Sequence, residues 1–417
     1  QKYKIVTTDL NLVESLAYSW AGIYLGVTTA IFTNDLILDG QLVVTRKEDA
    51  HSGSVVVLED STPKNSGHGL SFDLYANPHA WEPNETVRVI FSSGTTGSQK
   101  PIGITHSRLA LMLQAARNNW LSDDGFLCAI GIPALSGYLT SMHQLQSGLT
   151  FVSPSESIVL HGALGKYNIK TLKCSPFHVT ELVALIESGW PKPQNLEHIK
   201  VVGGFTPSHL VESLQKTGVS FENLYGSTEA GMATSRQGIG ESNNIGKPLP
   251  GVELQIVNGE GDQLPPGATG ELRYRQNYSA EEYFDGDKTG FHDGFFYPGD
   301  LAKADDSGSI WLMGRSNEVI SLAGVKTSLV DIDNQVASMQ WITAASCLPI
   351  VSRSGQQMIL ICYESIRSVD KEELSKQLRD GYLGERPFIL RRVDELPRNE
   401  NHKVIRKQLP ATQESLI

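Results

Sequence analysis

Residues 86 to 120 read TVRVIFSSGTTGSQKPIGITHSRLALMLQAARNNW. The opening TVRVIFSS is apolar and β-branched, which predicts a strand. A loop rich in Ser, Thr and Gly follows, and from Ile104 onward the apolar residues recur at helical spacing, which predicts a helix. A strand, a glycine loop and a helix in this order are typical of a site that binds an anion.

The loop between Ser92 and Lys100 has the composition of a phosphate site. Its backbone N–H groups and hydroxyls can turn toward one anion, and Lys100 adds a positive charge. It is not a Walker A loop, because Lys100 does not directly follow the second glycine and precedes Pro101 instead of Ser or Thr. On composition alone, a loop of this kind is more often a plain turn.

The composition describes a soluble α/β enzyme. A chain of 417 residues predicts two or three domains, and 40% hydrophobic with 19% charged residues excludes a disordered chain. The net charge of −11 argues against nucleic acid as the main partner. The four cysteines lack metal-like spacing, so we expect buried thiols in a reducing, cytoplasmic setting and not a catalytic role. They are Cys128, Cys174, Cys347 and Cys362.

An uncharged stretch, residues 15 to 34, approaches the length of a membrane span. It is diluted by Ser, Thr and Gly, and it lies between two β-branched runs, YKIVTTD and VTTAIFTND. We therefore predict a βαβ unit with a helix from Leu12 to Leu25, and no membrane span. No secretory signal is visible, although a chain that begins at Gln1 can lack upstream residues.

The predicted secondary structure of the remaining sequence changes twice along the chain. HVTELVALIESG, HIKVVGG, SHLVESLQKTG and SFENLYG alternate as helix and strand, which predicts a parallel sheet with covering helices. Residues 251–314 contain short alternating strands with many turns, as in a barrel-like subdomain. We predict an α/β fold with a large N-terminal domain of stacked parallel-type sheets and helices, residues 1–316, and a small α+β domain, residues 317–417.

The loop SSGTTGSQKP resembles the glycine-rich core motif of the adenylate-forming superfamily, which includes acyl-CoA synthetases, nonribosomal adenylation domains and luciferases. Four further motifs follow in the order of that family. They are VVGGFTPS (201–208), NLYGSTEAG (223–231), GATGELRYR followed by GFFYPGDLAKADDSGSIWLMGRSNEVISLAG, and VDELPRNENHKVIRKQL (393–409). The resemblance covers about residues 88–409, and it extends more weakly to the βαβ unit.

The resemblance implies roles for the first three motifs. Tyr225, beside Gly226, would stack on adenine, Thr228 would contact the α-phosphate, and Glu229 would hold Mg²⁺, which prefers oxygen ligands alongside substrate phosphates. Outside this context, a Tyr and a Glu near a strand end would be a capped turn. The residues implied to hold the β- and γ-phosphates of ATP are Ser92, Ser93, Gly94, Thr95, Thr96, Gly97 and Lys100. Those implied to lie along the adenine and the acyl pocket are Gly203, Gly204 and Phe205.

The resemblance also assigns residues in the later motifs. Asp300 would accept hydrogen bonds from both ribose hydroxyls, and Arg315 would add donors on the ribose or phosphate side. Asp300 alone is equally consistent with a turn aspartate after Gly299. The hinge of the family aligns with Asn317, where Asp or Lys is commoner, and Asn tolerates unusual backbone angles well. About this hinge the C-terminal domain is expected to swing between two catalytic arrangements.

The final motif aligns Lys403 with a lysine that contacts the substrate carboxylate and the α-phosphate. A cation there offsets charge as the carboxylate attacks phosphorus. Outside this context, a lysine in a basic tail would be a solvated surface residue. His402 replaces the usual glycine and leaves Lys403 in register.

The implied function is that of an ATP- and Mg²⁺-dependent acid–thiol ligase. The acyl acceptor would be coenzyme A or the phosphopantetheine arm of an acyl carrier protein, the latter as in stand-alone enzymes of natural-product or lipid biosynthesis. The acidic net charge disfavours an acidic carrier unless a local basic patch exists, for instance around Arg386, Arg391 and Arg392. A catalytically inactive nucleotide sensor is the other alternative, and the presence of Lys403, Glu229 and Asp300 argues against it.

Two features depart from the family. The region before the phosphate loop is short, so the first domain is expected to be trimmed at its start. Many members carry Pro-x-x-His-x-x-Gly at the acid pocket, where this chain reads IPALSGYLTSMH. The aspartate that usually pairs with a substrate amine is also absent from the sequence. We therefore expect a small carboxylic acid without an α-amino group.

Overall fold

The structure is a computed structural model of the chain. It describes residues 6–9, 12–31, 42–45, 54–57, 79–92, 100–121, 125–147, 160–204, 206–238, 243–322, 325–352, 355–398 and 404–410. The chain divides into two compact units. The first comprises residues 1–163, 227–231 and 276–294, and the second comprises residues 164–226, 232–275 and 295–417. The hinge-based division at residue 316 stays a prediction.

The elements up to residue 166 combine short strands with four helices. The strands are β1 (Val6–Asp9), β2 (Thr29–Ile31), β3 (Leu42–Thr45), β4 (Ser54–Val57), β5 (Thr86–Ser92), β6 (Lys100–Thr105) and β7 (Phe126–Cys128). The helices are α1 (Leu12–Leu25), α2 (His106–Asn119), α3 (Leu135–Gln146) and α4 (Leu160–Lys166).

The elements of residues 171 to 315 are mostly strands. The first of them are β8 (Thr171–Cys174), β9 (His198–Val202), β10 (Ser220–Ser227), β11 (Gly231–Gln237), β12 (Asn244–Pro248) and β13 (Glu253–Val257). The later ones are β14 (Gly270–Arg275), β15 (Phe291–His292), β16 (Phe295–Phe296), β17 (Asp300–Ala304) and β18 (Ile310–Arg315). The helices are α5 (Pro176–Glu187) and α6 (Ser208–Gln215).

The remaining elements form the C-terminal part. The strands are β19 (Val319–Leu322), β20 (Val325–Ser328), β21 (Ile342–Val351), β22 (Gln357–Ser365) and β23 (Phe388–Arg392). The helices are α7 (Leu329–Ala337) and α8 (Lys371–Leu378), with 3-10 turns at Ser316–Glu318 and Arg406–Gln408 and a π-helical turn at Arg379–Leu383.

The first unit contains a six-stranded sheet in the order β4-β3-β1-β2-β5-β6. Strand β1 pairs in parallel with β2, and α1 connects them, so the predicted βαβ unit is confirmed with the predicted helix bounds. Strands β3 and β5 extend the parallel pairing on either side. The described helices include none that is long and apolar enough to cross a membrane.

The phosphate-loop segment is a hairpin, because β5 and β6 pair antiparallel with Ser92 opposite Lys100. The prediction that the helix starts at Ile104 is wrong. Pairing with β5 satisfies the backbone groups of this segment and buries Ile102 and Ile104 completely, so helix α2 begins only at His106. The N-cap of α2 is Thr105, whose hydroxyl accepts from Arg108 N at 3.3 Å.

The second unit contains a mixed sheet that runs β16-β14-β17-β18-β12-β11-β10-β9-β8. Strands β8, β9 and β10 are parallel neighbours, which confirms the predicted parallel sheet. The strands from β11 onward pair antiparallel, and β13 joins β14 at the side. These antiparallel strands follow one another in an open order, so the described residues form no closed barrel.

The C-terminal α+β part is also confirmed. Strands β21, β22 and β23 form a three-stranded sheet, antiparallel in its first pair and parallel in its second. Helices α7 and α8 bury apolar side chains against one face, including Ile332, Val336 and Leu374. The four cysteines are buried and form no disulfide, as expected from their spacing.

Arg88 is a buried cation that meets no acidic side chain among the described residues. The side chain, on β5, is 1% exposed, and its Nη1 donates to Ser19 Oγ at 2.9 Å and to Thr29 Oγ1 at 3.2 Å. The guanidinium lies 4.6 Å from the ring centroid of Tyr138. Its Nε and Nη2 have no acceptor within the part of the chain that the structure describes, and burial lowers the pKa of Arg88. Burial of a charge without an anion opposes folding.

Replacement of Arg88 by methionine is therefore expected to raise the free energy of unfolding by about 1–4 kcal/mol, measured by urea denaturation. Arg108→Met is the matched control. Arg108 Nε donates to Tyr278 O at 2.9 Å and its Nη1 donates to Gly103 O, so the control loses hydrogen bonds and is expected to be destabilised. A loss of stability in Arg88→Met equal to that of the control would contradict the prediction.

Candidate active site

Glu229 lies in the turn that follows β10. Within this turn Ala230 N donates to Ser227 Oγ at 3.1 Å, and Ala280 N donates to Glu229 O at 2.9 Å. The Glu229 residue is only 7% exposed, and half-buried Thr228 precedes it. The backbone contacts fix the turn, so the Glu229 carboxylate has a defined position.

Tyr283 holds one oxygen of this carboxylate. Its Oη donates to Glu229 Oε1 at 3.2 Å. Burial, followed by the negative charge of Glu229, raises the pKa of Tyr283, so the phenol stays protonated and remains a donor at neutral pH. Within the described part of the chain, Glu229 Oε2 receives no hydrogen bond.

Lys100 extends the same cluster. Its Nζ lies 2.7 Å from Asp287 Oδ2 and 4.5 Å from the ring centroid of Tyr283. The hydrogen bonds from Lys100 and from Thr289 hold the pKa of Asp287 well below its usual range. The Lys100 and Asp287 side chains are 28% and 38% exposed, so the ion pair is weak and an anion can compete for Lys100.

Tyr283 thus contacts both Glu229 and Lys100, the residue at the end of the predicted phosphate loop. Ser92 and Lys100 are paired residues of β5 and β6, and residues 93–99 between them lie outside the described residues. The predicted phosphate contacts Ser93, Gly94, Thr95, Thr96 and Gly97 fall in that gap. Sequence reasoning missed Tyr283 and Asp287, because neither belongs to a motif and Tyr283 lies 54 residues from Glu229.

A second group of predicted residues meets in the second unit. Tyr225 Oη donates to Asp300 Oδ2 at 2.5 Å, and Arg315 Nε lies 3.1 Å from Asp300 Oδ1. Asp300 is 5% exposed, and burial, followed by the charge of Asp300, raises the pKa of Tyr225. The tyrosine therefore donates at neutral pH, and both carboxylate oxygens have a partner.

The sheet places these residues. Asp300 opens β17 and Arg315 ends β18, and the two are paired across the antiparallel ladder. Gly299, with φ 77°, turns the chain into β17, and Gly299 O accepts from Ser316 N at 2.9 Å. The ring of Tyr225 packs against the apolar face of the same sheet and lies 6.4 Å from the ring of Tyr274. Gly226 follows Tyr225 in β10.

The paired glycines follow β9 in an exposed turn. Gly203 has φ 93°, and a Cβ on Gly204 would lie 3.3 Å from Pro176 Cγ, tighter than most such contacts. The turn therefore favours glycine at both positions. Phe205 lies outside the described residues.

The terminal motif and the hinge are partly described. Arg398 and Val404 form an isolated antiparallel bridge, and Ile405 N donates to Pro397 O at 2.8 Å. These bonds close a loop of which residues 399–403 lie outside the described residues, and Lys403 among them. Asn317 lies in the 3-10 turn Ser316–Glu318 between β18 and β19.

The side chains of the described residues indicate whether the site could bind Mg²⁺. Among the described residues no group of three or more His, Cys, Asp or Glu side chains could hold a metal. Mg²⁺ needs no such cage, since it commonly binds one or two carboxylates together with waters and substrate phosphates. Glu229 is a buried carboxylate whose position is fixed by Tyr283, and it fits that mode.

The comparisons with known proteins decide the family. Residues 26–284 match the family model described as AMP-binding enzyme. The chain belongs to this family. It is similar to the acetyl-coenzyme A synthetase of Pyrobaculum arsenaticum, with 24% identity over 389 residues that cover 82% of this chain and 57% of the relative.

It is also similar to the mitochondrial acyl-coenzyme A synthetase ACSM1 of Mus musculus, with 26% identity over 366 residues that cover 78% of this chain and 61% of the relative. The chain therefore spans less than two thirds of the length of these relatives. Its fold is that of the o-succinylbenzoate coenzyme A synthetase of Bacillus subtilis in complex with AMP. The TM-score is 0.78 at 19% identity, over 99% of this chain and 89% of the other. The predicted adenylate-forming fold is confirmed.

Gly231→Ala is expected to destabilise the AMP-binding enzyme, because Gly231 ends the Glu229 turn with φ 81° and a Cβ there would lie 2.6 Å from the buried ring of Tyr278. We expect a loss of about 3 kcal/mol from combined backbone strain and overlap. Gly251→Ala is the matched control, with φ 82° and nothing within 4 Å, and should lose about 1 kcal/mol. Equal losses in urea denaturation would show that Tyr278 does not constrain the turn.

Proposed function

We propose that this chain is an ATP-dependent ligase that converts a carboxylic acid into an acyl-adenylate and transfers the acyl group to a thiol. The observation that carries the proposal is the buried Asp300 carboxylate, which is held by Tyr225 and Arg315. A carboxylate can accept more hydrogen bonds than these two donors supply, so it retains capacity for the ribose hydroxyls. The Tyr225 ring beside it supplies an aromatic face for adenine.

In the first half-reaction, an oxygen of the substrate carboxylate attacks the α-phosphorus of ATP. The new O–P bond forms as the bond to the β-phosphate breaks, and pyrophosphate leaves. The loop between Ser92 and Lys100 binds the leaving group, and Lys403 neutralises charge between the reacting groups. Thr228 contacts the α-phosphate. Mg²⁺, held by Glu229, supplies positive charge to the phosphates when bound.

In the second half-reaction, a thiol attacks the acyl carbon of the mixed anhydride and AMP leaves. The C-terminal residues rotate about Asn317 before this step, which removes Lys403 and admits the thiol. The chain supplies no thiol itself, because all four cysteines are buried. Coenzyme A is the first candidate acceptor, and the phosphopantetheine arm of a carrier protein is the second.

The acid is proposed to be small and to lack an α-amino group. This rests on the segment IPALSGYLTSMH, whose last part forms α3. Tyr138 in this helix is fully buried, and the buried side chains of α3 offer no carboxylate to a substrate amine. An ammonium group would need such a partner if it were buried.

The proposal is tested by pyrophosphate release from ATP over a panel of aryl, short-chain and long-chain acids. At least one acid should elicit release, and Lys403→Ala should lower the rate by at least about 100-fold, because charge neutralisation at the reacting centre is lost. Lys407→Ala, which removes the same charge four residues away, should keep the wild-type rate. If no acid elicits release from the wild type, the chain is a nucleotide-binding protein without ligase activity.

Asp300→Asn tests the ribose assignment. The amide presents one acceptor oxygen in place of two and breaks the ion pair with Arg315, so the KM for ATP should rise by about tenfold or more. Asp306→Asn, at an exposed turn position, is the control and should leave the KM unchanged. A KM for ATP that is equal in both variants would remove Asp300 from the nucleotide site.

The acyl acceptor is identified by adding coenzyme A, or a carrier protein that bears its phosphopantetheine arm, to the pyrophosphate-release assay.

A further inference from the structure

The guanidinium of Arg88 has one edge without an acceptor in the described part of the chain. The two hydrogens of Nη1 are donated to Ser19 Oγ at 2.9 Å and to Thr29 Oγ1 at 3.2 Å. Nε and Nη2 lie side by side along another edge of the planar group, and neither meets an acceptor among the described residues. Two parallel N–H groups on one edge match the two oxygens of a carboxylate. Arg88 therefore presents a pair of donors that suits a carboxylate.

Tyr138 adds a second polar group of the same kind. Its ring centroid lies 4.6 Å from the Arg88 guanidinium carbon, and the residue is completely buried. The Tyr138 Oη has no hydrogen-bond partner within the ranges that the structure describes. Burial raises the pKa of Tyr138, so the phenol is protonated at neutral pH and can donate. Donors from two elements, β5 and α3, thus lie next to each other without an acceptor.

A second buried guanidinium in the same unit shows what compensation looks like. Arg108 Nε donates to Tyr278 O at 2.9 Å, and its Nη1 donates to Gly103 O. Burial lowers the pKa of Arg108 to about 10, and the negative charge of Glu281 opposes that shift. Arg88 has neither carbonyl acceptors nor an acidic neighbour among the described residues. Because natural proteins keep destabilising groups where function needs them, the burial of Arg88 calls for a functional explanation.

The position of the pair connects two parts of the proposed site. Arg88 precedes Ser92 by four residues on β5, or about 13 Å at the rise of a strand. Tyr138 is in the second turn of α3, and side chains of a helix lean toward its N-terminus. The chain just before α3 is accessible, with Gly131 exposed and Ala134 half-buried. The pair therefore lies between the strand that leads to the phosphate loop and the helix that begins at the predicted acid pocket.

The start of α3 adds to the positive potential. Its N-cap is Ala134, whose methyl side chain cannot accept a hydrogen bond from the first turn, and that turn contains no acidic residue. A helix N-terminus carries a partial positive charge that favours an anion nearby. The dipole of α3 and the charge of Arg88 therefore act in the same direction.

We propose that Arg88 and Tyr138 bind a second carboxylate at the far end of the acid, so that the substrate is a dicarboxylic acid. This inference rests on the proposed function, which it narrows to one class of acid. One carboxylate of the substrate attacks the α-phosphorus of ATP. The other accepts from Nε and Nη2 of Arg88 and from the phenol of Tyr138. The substrate thus supplies the negative charge that offsets the burial of Arg88.

The first test compares acids in the full chain. Pyrophosphate release gives kcat/KM for unbranched dicarboxylic acids of about four to eight carbons and for monocarboxylic acids of the same lengths. The best dicarboxylic acid should exceed its monocarboxylic counterpart by about 100-fold or more, because a site built around buried donors rejects a ligand that leaves them unpaired. The monomethyl ester of that acid, which lacks the second charge, should react like the monocarboxylic acid.

Three variants assign the preference to the pair. Arg88→Met should lower kcat/KM for the dicarboxylic acid by about 100-fold and should not lower it for the monocarboxylic acid. Tyr138→Phe, which removes one oxygen, should lower the dicarboxylic value by about tenfold and leave the monocarboxylic value unchanged. Arg108→Met is the matched control and should leave the ratio of the two values as in the wild type. A loss of stability alone would lower both values together.

Binding is measured separately from turnover by the thermal unfolding midpoint, with a non-hydrolysable ATP analogue present. The dicarboxylic acid should raise the midpoint of the wild type and not that of Arg88→Met. An equal acid ratio in wild type and Arg88→Met would overturn the inference, and so would an equal rise with chloride or sulfate, which would indicate a site for inorganic anions.

The proposed function fails separately from this inference. If the wild type releases no pyrophosphate with any acid, ligase activity is refuted and the midpoint decides alone. A rise specific to the dicarboxylic acid then supports the Arg88 site, and no rise overturns it. If Arg88→Met does not fold, Tyr138→Phe decides by the same ratio, because it removes no charge and leaves the ring in place.

Discussion

A buried carboxylate must be matched by donors, and this constraint organises the described parts of the site. Asp300 is held in place from one side by the phenol of Tyr225 and from the other by Arg315, its partner in the antiparallel ladder. An unmatched carboxylate at 5% exposure would be protonated or would oppose folding. The same donors that make the burial tolerable also fix the acceptor oxygens in space. Stability and preorganisation of the site therefore have one cause.

Much of the fold could be predicted because its signals are local. The bounds of α1 follow from apolar periodicity between two β-branched runs, and the parallel strands β8 to β10 follow from alternation with helices. The error at Ile104 shows the limit of this reasoning. KPIGITH has no local feature that distinguishes the first turn of a helix from a strand, and pairing with β5 decides the outcome.

The candidate site could be predicted only where motifs mark it. The family motifs name Tyr225, Asp300 and Arg315, and the sheet brings Tyr225 to Asp300 across 75 residues. Tyr283 and Asp287 were not, because their roles depend on a contact with Glu229 and Lys100 that no spacing rule encodes. A tyrosine followed four residues later by an aspartate is unremarkable in a turn-rich segment. Only its long-range partners give it a part in the site.

Arg88 and Arg406 show two ways in which the fold accommodates a buried guanidinium. Arg88 is completely buried with hydroxyls and an aromatic ring around it, and no acidic partner lies near it in the described residues. Arg406 has two carboxylates where one would balance it. Arg406 is therefore held by opposite charges, whereas Arg88 is held by hydroxyls and an aromatic ring, and only Arg88 bears the full cost of burying an unpaired charge.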